Sequence, residues 1–235
     1  MLAVFSVWAA HGGGNTETDN NYHSWPLPPI SASIAQFVIR KLNSTELSTA
    51  AELLSRGMRD NPIHSRAFGP HAEHRRHALA RLFQPVLRRG VNRGSVFGVF
   101  LDDRLVGVYA EIPPGQCQPT LTEKLKILPA ICFGNPLATS KRVLTWVGEW
   151  SRRDLTKPHW HLGPVAVDAH LQGQGIGRSM LAAFCSDMDA RKAIAYLETD
   201  KIANVRFYEQ FGFTVLAEAD VLGVRNWFMS RDGSL

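Results

Sequence analysis

The chain is poor in cysteine and carries no positive charge near its start. Only Cys117, Cys132 and Cys185 occur in 235 residues, with no C-x-x-C pair and an odd total. That excludes a disulfide framework or a four-cysteine zinc site and suits a reducing compartment. No Lys or Arg precedes Arg40, so the apolar opening MLAVFSVWAA lacks the basic head of a secretory signal, and export is not expected. No apolar run is long enough to cross a bilayer, and charges interrupt the hydrophobic segments after residue 35. A soluble, cytoplasmic protein is the expectation.

What the chain does have is 45% hydrophobic residues, enough for one well-buried core. Residues 1–33 are rich in Gly, Asn, Ser, Thr and Pro without helical or strand period, so they read as a disordered or loosely packed extension before a folded domain over 34–235. The net charge is +5, and much of the excess lies in HAEHRRHALARLFQPVLRRG. That stretch lacks interleaved aromatics and any helix-turn-helix or finger spacing, so it reads as a solvated helix face and not as a nucleic-acid surface. His71, His74 and His77 on that helix, with His64, have no carboxylate or cysteine placed to complete a metal set, and no metal is expected. Cys185 sits on an apolar helix face as a small core residue.

Apolar periodicity sets out the elements. Gln36 to Leu42 reads as a short strand. Ser44 and Thr45 are capping candidates for a helix with Leu47, Ala51, Leu54 and Met58 on one face, ending at Asp60-Asn61-Pro62. A second helix runs from about His71 to Arg88. Two apolar runs around Asp102-Asp103 form a hairpin, closed by Pro113-Pro114-Gly115. Helices follow over Thr120 to Ala130, opened by a Thr120/Glu123 capping box, and over Ala138 to Arg153. His159 to Val167 is a strand. The next helix has Ile176, Met180, Leu181, Phe184 and Met188 on one face. Ala193 to Thr199 is a strand, Asn204 to Gln210 a short helix, and the chain ends in two strands about a turn at Glu218 to Gly223. Helices between most strands, together with hairpins, predict a mixed sheet in a three-layer α/β (α+β) fold.

Between the fifth of these helices and the strand before it lies HLQGQGIGRSML. A strand, a glycine turn and a helix leave free backbone N–H groups at a positive helix end, which suits a phosphate. No G-K-[ST] follows, so it is not a Walker loop. Gly173-Gln174-Gly175 begins a dinucleotide fingerprint, but the third glycine is replaced by Arg178 and no repeated parallel βαβ units follow, despite Glu198 ending the next strand where that fold places its ribose acid.

The pattern that fits is Gln172-x-x-Gly175-x-Gly177, which resembles motif A of the GNAT superfamily of acetyl-CoA-dependent N-acetyltransferases. The downstream LETDKIANVRFYEQFGF resembles the family's motif B, and the likeness extends over about residues 35 to 231. Leu197-Glu198-Thr199, Phe207-Tyr208-Glu209 and Trp227 with Met229 and Arg231 look like the puromycin N-acetyltransferase branch. The resemblance implies a central, largely antiparallel sheet splayed between its fourth and fifth strands. It implies acetyl-CoA as cosubstrate, held by Val165, Ala166 and Val167 along the strand, by Gln172, Gly173, Gln174, Gly175, Ile176, Gly177, Arg178 and Ser179 around the pyrophosphate, and by Asn204 and Phe207. It implies an amine acceptor, whether small molecule, antibiotic, protein N-terminus or lysine, and no metal. A non-catalytic CoA-binding domain is the alternative, and a homodimer is compatible with either.

Pro164 gives no N–H to a ladder, so a bulge is expected inside the motif A strand, where the resembled fold opens. For chemistry, Tyr208 matches the family tyrosine that protonates departing coenzyme A, its reference pKa of ~10 lying near that of a thiol. The main-chain N–H of Val165 is the candidate oxyanion donor. His161, four residues before Val165 and on its face by strict alternation, is the candidate base, with His159, Glu149 and Glu198 as rivals. An acceptor pocket is expected between a loop over Asn61 to Gly69 and the helix bearing Trp146 and Trp150, which equally suit a plain core.

Overall fold

A computed structural model describes residues 37–233. The expected extension, with Gln36 of the first predicted strand, lies outside the described residues. Seven strands form one sheet: β1 (Val38–Lys41), β2 (Ser95–Leu101), β3 (Arg104–Ile112), β4 (Trp160–Val167), β5 (Ala195–Thr199), β6 (Thr214–Val221) and β7 (Val224–Arg231). Their order is β1-β2-β3-β4-β5-β7-β6, with every neighbouring pair antiparallel except β4 and β5. The mixed, largely antiparallel sheet is therefore as expected. No helix of the described residues is long and apolar enough to cross a membrane.

Helices cover both faces. On one side lie α1 (Leu47–Met58), α2 (Pro62–Phe68), α3 (Ala72–Arg93), α4 (Leu121–Cys132) and α5 (Leu137–Arg152); on the other lie α6 (Ile176–Arg191) and α7 (Ile202–Glu209). Strand alternation sorts the core accordingly. Tyr196 of β5 points into the α1–α5 layer with Trp146, Trp150 and Phe228, while Ala195 and Leu197 point into the α6–α7 layer with Met180, Phe184 and Tyr208. Each of these large side chains removed from water stabilises the fold by about 1.5–3 kcal/mol before entropy is counted.

Local chemistry accounts for the element ends. The hairpin residues Asp102 and Asp103 take φ values of 49° and 60°, the left-handed pair that a two-residue turn between twisted strands requires. Leu222 and Gly223 do the same at 56° and 76°. Thr120 and Glu123 form the expected capping box. At α1 the cap differs: neither Ser44 nor Thr45 caps, and Glu46 occupies the position without a side-chain cap bond. Instead Asn43 Oδ1 accepts from Thr45 N at 2.9 Å and Glu46 accepts from Asn43 N at 3.0 Å, so a turn closed by side chains replaces the cap. The expected loop over Asn61 to Gly69 is mostly helix, because Pro62 at the first helical turn costs no hydrogen bond and Asp200 Oδ2 accepts Ile63 N at 2.7 Å.

Candidate active site

The site begins where β4 and β5 part. Their parallel pairing consists of Trp160 with Ala195 and His161 with Tyr196, and nothing beyond, although β4 runs on to Val167 and β5 to Thr199. The cause is on the other edge of β4. Opposite β3, Leu162 pairs with Glu111 and Val165 with Tyr109, so three steps on β4 match two on β3. Gly163-Pro164 forms the expected bulge, the extra residue bends the strand, and β5 no longer follows it.

The bulge also sets which main-chain groups face the opening. Asp168 N donates to Val106 O at 2.9 Å, which makes that pair a hydrogen-bonded one. In an antiparallel ladder bonded and non-bonded pairs alternate, so Val167 and Val165 are turned outward, with their N–H and C=O groups directed to the β5 side. The Val167 carbonyl there accepts from Gln172 Nε2 at 3.2 Å, fixing the start of the glycine loop. The opening itself is a narrow slit on the α6–α7 face, bounded by Tyr109, Leu162, Val165, Gly177, Phe207 and Tyr208.

At its mouth the glycine turn meets α6. Gly173 and Gly175 have φ of 83° and 85°, conformations that side chains disfavour, and a Cβ built on either would meet nothing within 4 Å. Gly175 caps α6 without a side chain, and the first intrahelical bond runs from Ser179 N to Gly175 O at 3.0 Å. The N–H groups of Ile176, Gly177 and Arg178 therefore have no acceptor within the helix. Open space, a helix of 16 residues and three forward-pointing amides make a cradle for a phosphate, which is the fit required of a CoA diphosphate. Gln174 and Arg178 are exposed, with Arg178 donating to Gln210 at 2.5 Å beside the Phe211 ring. Asp168 anchors the loop from behind. It accepts from Arg56 at 2.9 Å, and although burial opposes its charge, that bond holds its carboxyl below the usual range.

Motif B closes the other wall. Asn204 is fully buried and donates to Thr199 Oγ1 at 2.9 Å, tying the start of α7 to the end of β5. Tyr208, also buried, packs between Phe207 and Phe213 and borders the slit.

The candidate base requires a correction. His161 does not share a face with Val165, since the extra residue at Gly163-Pro164 reverses the alternation between them. His161 points with Tyr196 into the α1–α5 face, where its Nε2 lies 3.2 Å from Glu198 Oε2. Glu198 is completely buried; neither of its oxygens is met in well-aligned hydrogen-bond geometry, so the contact is one of charge more than direction. Burial pushes its carboxyl above the usual range, with the imidazole pulling the other way. His159 lies beside them, its Nε2 at 3.0 Å from Asp154. Burial opposes its charge, but its bonds to Asp154 and Cys117 raise it to about 10. Glu149 is engaged by Arg152 and Arg153 on α5.

Trp146 and Trp150 are core residues: Trp150 Nε1 donates to buried Asn226 Oδ1 at 2.9 Å, and Trp146 stands edge-on to His64 at 5.2 Å. Asn61 reaches Asp200 at 3.5 Å, so the start of α2 borders the end of β5. His64 is buried and bonded to Met58 O at 2.7 Å, and burial lowers it to about 3. The sequence reading missed Asp200, Arg56 and Asp154, whose partners lie more than a hundred residues away or across loops; no local pattern marks them.

A family model described as Acetyltransferase (GNAT) family matches residues 62–213, more than half of the chain. The chain belongs to the GNAT acetyltransferase family. Solved structures agree on the fold. One titled histone acetyltransferase HPA2 and related acetyltransferase, from Corynebacterium glutamicum, is 18% identical, with a TM-score of 0.63 over 85% of this chain and 97% of that one. Arylalkylamine N-acetyltransferase 2 from Aedes aegypti is 12% identical, with a TM-score of 0.57 over 84% and 99%. The ribosomal-protein-S18-alanine N-acetyltransferase of Escherichia coli is 15% identical, with a TM-score of 0.50 over 85% and 96%. At these identities the likeness is one of fold alone.

Proposed function

We propose that this GNAT protein transfers acetyl from acetyl-CoA to a primary amine of a small molecule, by direct attack within a ternary complex. The observation that carries the reading is the coincidence, in one crevice, of outward-facing main chain at Val165 and Val167, free amides at the start of α6, and the buried phenol of Tyr208. The α6 amides and the two glycines hold the diphosphate, and the Val165–Val167 backbone pairs with the pantetheine arm where β5 is missing as a partner. Phe207 and Leu162 exclude water from the thioester, which strengthens every dipole directed at it. The Val165 N–H stabilises the oxyanion, and Tyr208 gives its proton to the departing thiolate.

His161, with Glu198 behind it, takes the proton of the acceptor amine from the α1–α5 side of the opening. Their 3.2 Å contact supports this assignment: a buried carboxylate beside an imidazole stabilises the imidazolium formed. The acceptor enters past Asn61 and the start of α2. Outward N–H groups on β4 and an ordered Asn204 favour catalysis over a CoA-binding domain without activity. One structural neighbour is an arylalkylamine N-acetyltransferase, which makes small amines the first acceptors to try. The reading is tested by following CoA-thiol release with a panel of amines, N-terminal peptides and lysine peptides. Release with small primary amines supports it, and release with peptides alone replaces the acceptor assignment.

A further inference from the structure

Beside the site, on the α1–α5 face of β4, the ligating atoms of Cys117, His159 and His161 all lie within 4.8 Å of one another. They are only 8%, 4% and 3% exposed, so they form a dry cluster and not a chance surface grouping. His161 lies on β4, His159 stands two residues earlier just before the strand, and Cys117 comes from the loop after β3. Two carboxylates stand at its edge, half-buried Asp154 with Oδ1 at 3.0 Å from His159 Nε2 and buried Glu198 with Oε2 at 3.2 Å from His161 Nε2.

We propose that Cys117, His159 and His161 bind a zinc ion, with Asp154 or Glu198 supplying an oxygen in the fourth position. The donor set is one thiolate, two imidazoles and a carboxylate, the soft and borderline ligands that select zinc over magnesium or calcium. His159 is already oriented for it: its Nδ1 faces the Lys157 carbonyl at 2.8 Å, which directs Nε2 toward the cluster, as outer partners of zinc-bound histidines do. A nucleophilic cysteine triad does not fit. In such a triad the acid and the thiol occupy opposite ring nitrogens, whereas here Nδ1 is taken by a main-chain carbonyl and Asp154 approaches Nε2.

A second observation also points to a cation. Asp154 and Glu198 set two carboxylates against the imidazoles at 3.0 and 3.2 Å, with Glu198 completely buried, so negative charge is gathered where a cation would sit. On binding, Zn²⁺ displaces the Cys117 thiol proton and the Nε2 proton of His159, both released to solvent, and no redox change is involved. A chain in this state would have His161 engaged by the metal; resting on the function proposed above, zinc would then restrain acetyl transfer reversibly.

The test uses Co²⁺ as a spectroscopic substitute in metal-stripped full-length protein, followed by displacement with Zn²⁺. The expected result is a thiolate-to-cobalt charge-transfer band with the visible spectrum of four-coordinate cobalt. It should persist in Cys132→Ser/Cys185→Ala, whose sole thiol is Cys117, and vanish in Cys117→Ser, with zinc affinity falling at least about tenfold. Absence of the band in wild type overturns the proposal, as does its loss in the Cys132→Ser/Cys185→Ala protein while that protein keeps its native circular dichroism. The spectra do not depend on turnover, so they separate failure of the metal site from failure of the transferase reading.

Discussion

Replacing Gly175 with alanine separates the cost of folding from the cost of binding. At φ 85° an alanine is forced into the left-handed region, which costs about 1–2 kcal/mol. No steric term is added, because a Cβ there meets nothing within 4 Å. Gly115, with φ 74° and equally open surroundings, lies in the loop after β3 and supplies the matched control. Both variants should therefore lose a similar 1–2 kcal/mol in urea denaturation. Their affinities for CoA should diverge. A methyl on Gly175 holds a phosphate away from the amides of Ile176, Gly177 and Arg178, and charge-assisted hydrogen bonds are worth about 1.5–3 kcal/mol each. Losing one such bond weakens binding roughly tenfold to a hundredfold. Isothermal titration with CoA should show that loss for Gly175→Ala and wild-type affinity for Gly115→Ala. Wild-type affinity in both variants would refute the cradle, and an equal loss in both would trace the effect to stability alone.

Acid should destabilise the fold through His64. Its folded pKa of about 3 lies below the ordinary 6.5, so the unfolded chain binds the extra proton, and the contribution of neutral His64 is lost as pH falls from 6.5 toward 3. The ceiling is roughly 5 kcal/mol, and His64→Leu should flatten the fall in melting temperature over that range relative to wild type; an unchanged slope would contradict it. Asn226→Leu leaves the buried Trp150 N–H without its acceptor and should cost about 1–3 kcal/mol in chemical denaturation, whereas a change below 0.5 would mean the indole finds another partner.

How legible the fold was depended on the range of the interactions that make it. The capping box at Thr120, the tight turns at Asp102-Asp103 and Leu222-Gly223, and the glycine turn before α6 are local, and their residues show in the sequence. The bulge at Pro164 was also legible, since a proline inside an apolar strand must disturb pairing. Its consequence was not followed through: one extra residue reverses every later side chain, which moved His161 away from the Val165 face and onto Glu198. Strict alternation is the rule for a regular strand, and the proline had already announced that this one is irregular. The helix over Pro62–Phe68 was hidden because its N-terminal bond comes from Asp200, 137 residues distant from Ile63. Likewise Cys117 could not be joined to His159 and His161 before the loop after β3 was folded against β4, although the close spacing of the two histidines was visible.

Acid catalysis by Tyr208 in the opening between β4 and β5 is tested most directly by comparing wild type with Tyr208→Phe for both turnover and CoA affinity. General acid groups contribute about a hundredfold to ten-thousandfold. In Tyr208→Phe kcat should fall by at least about two orders of magnitude while the Kd for CoA stays within about twofold. Full turnover in Tyr208→Phe would contradict it, and so would a loss of turnover matched by an equal loss of CoA affinity.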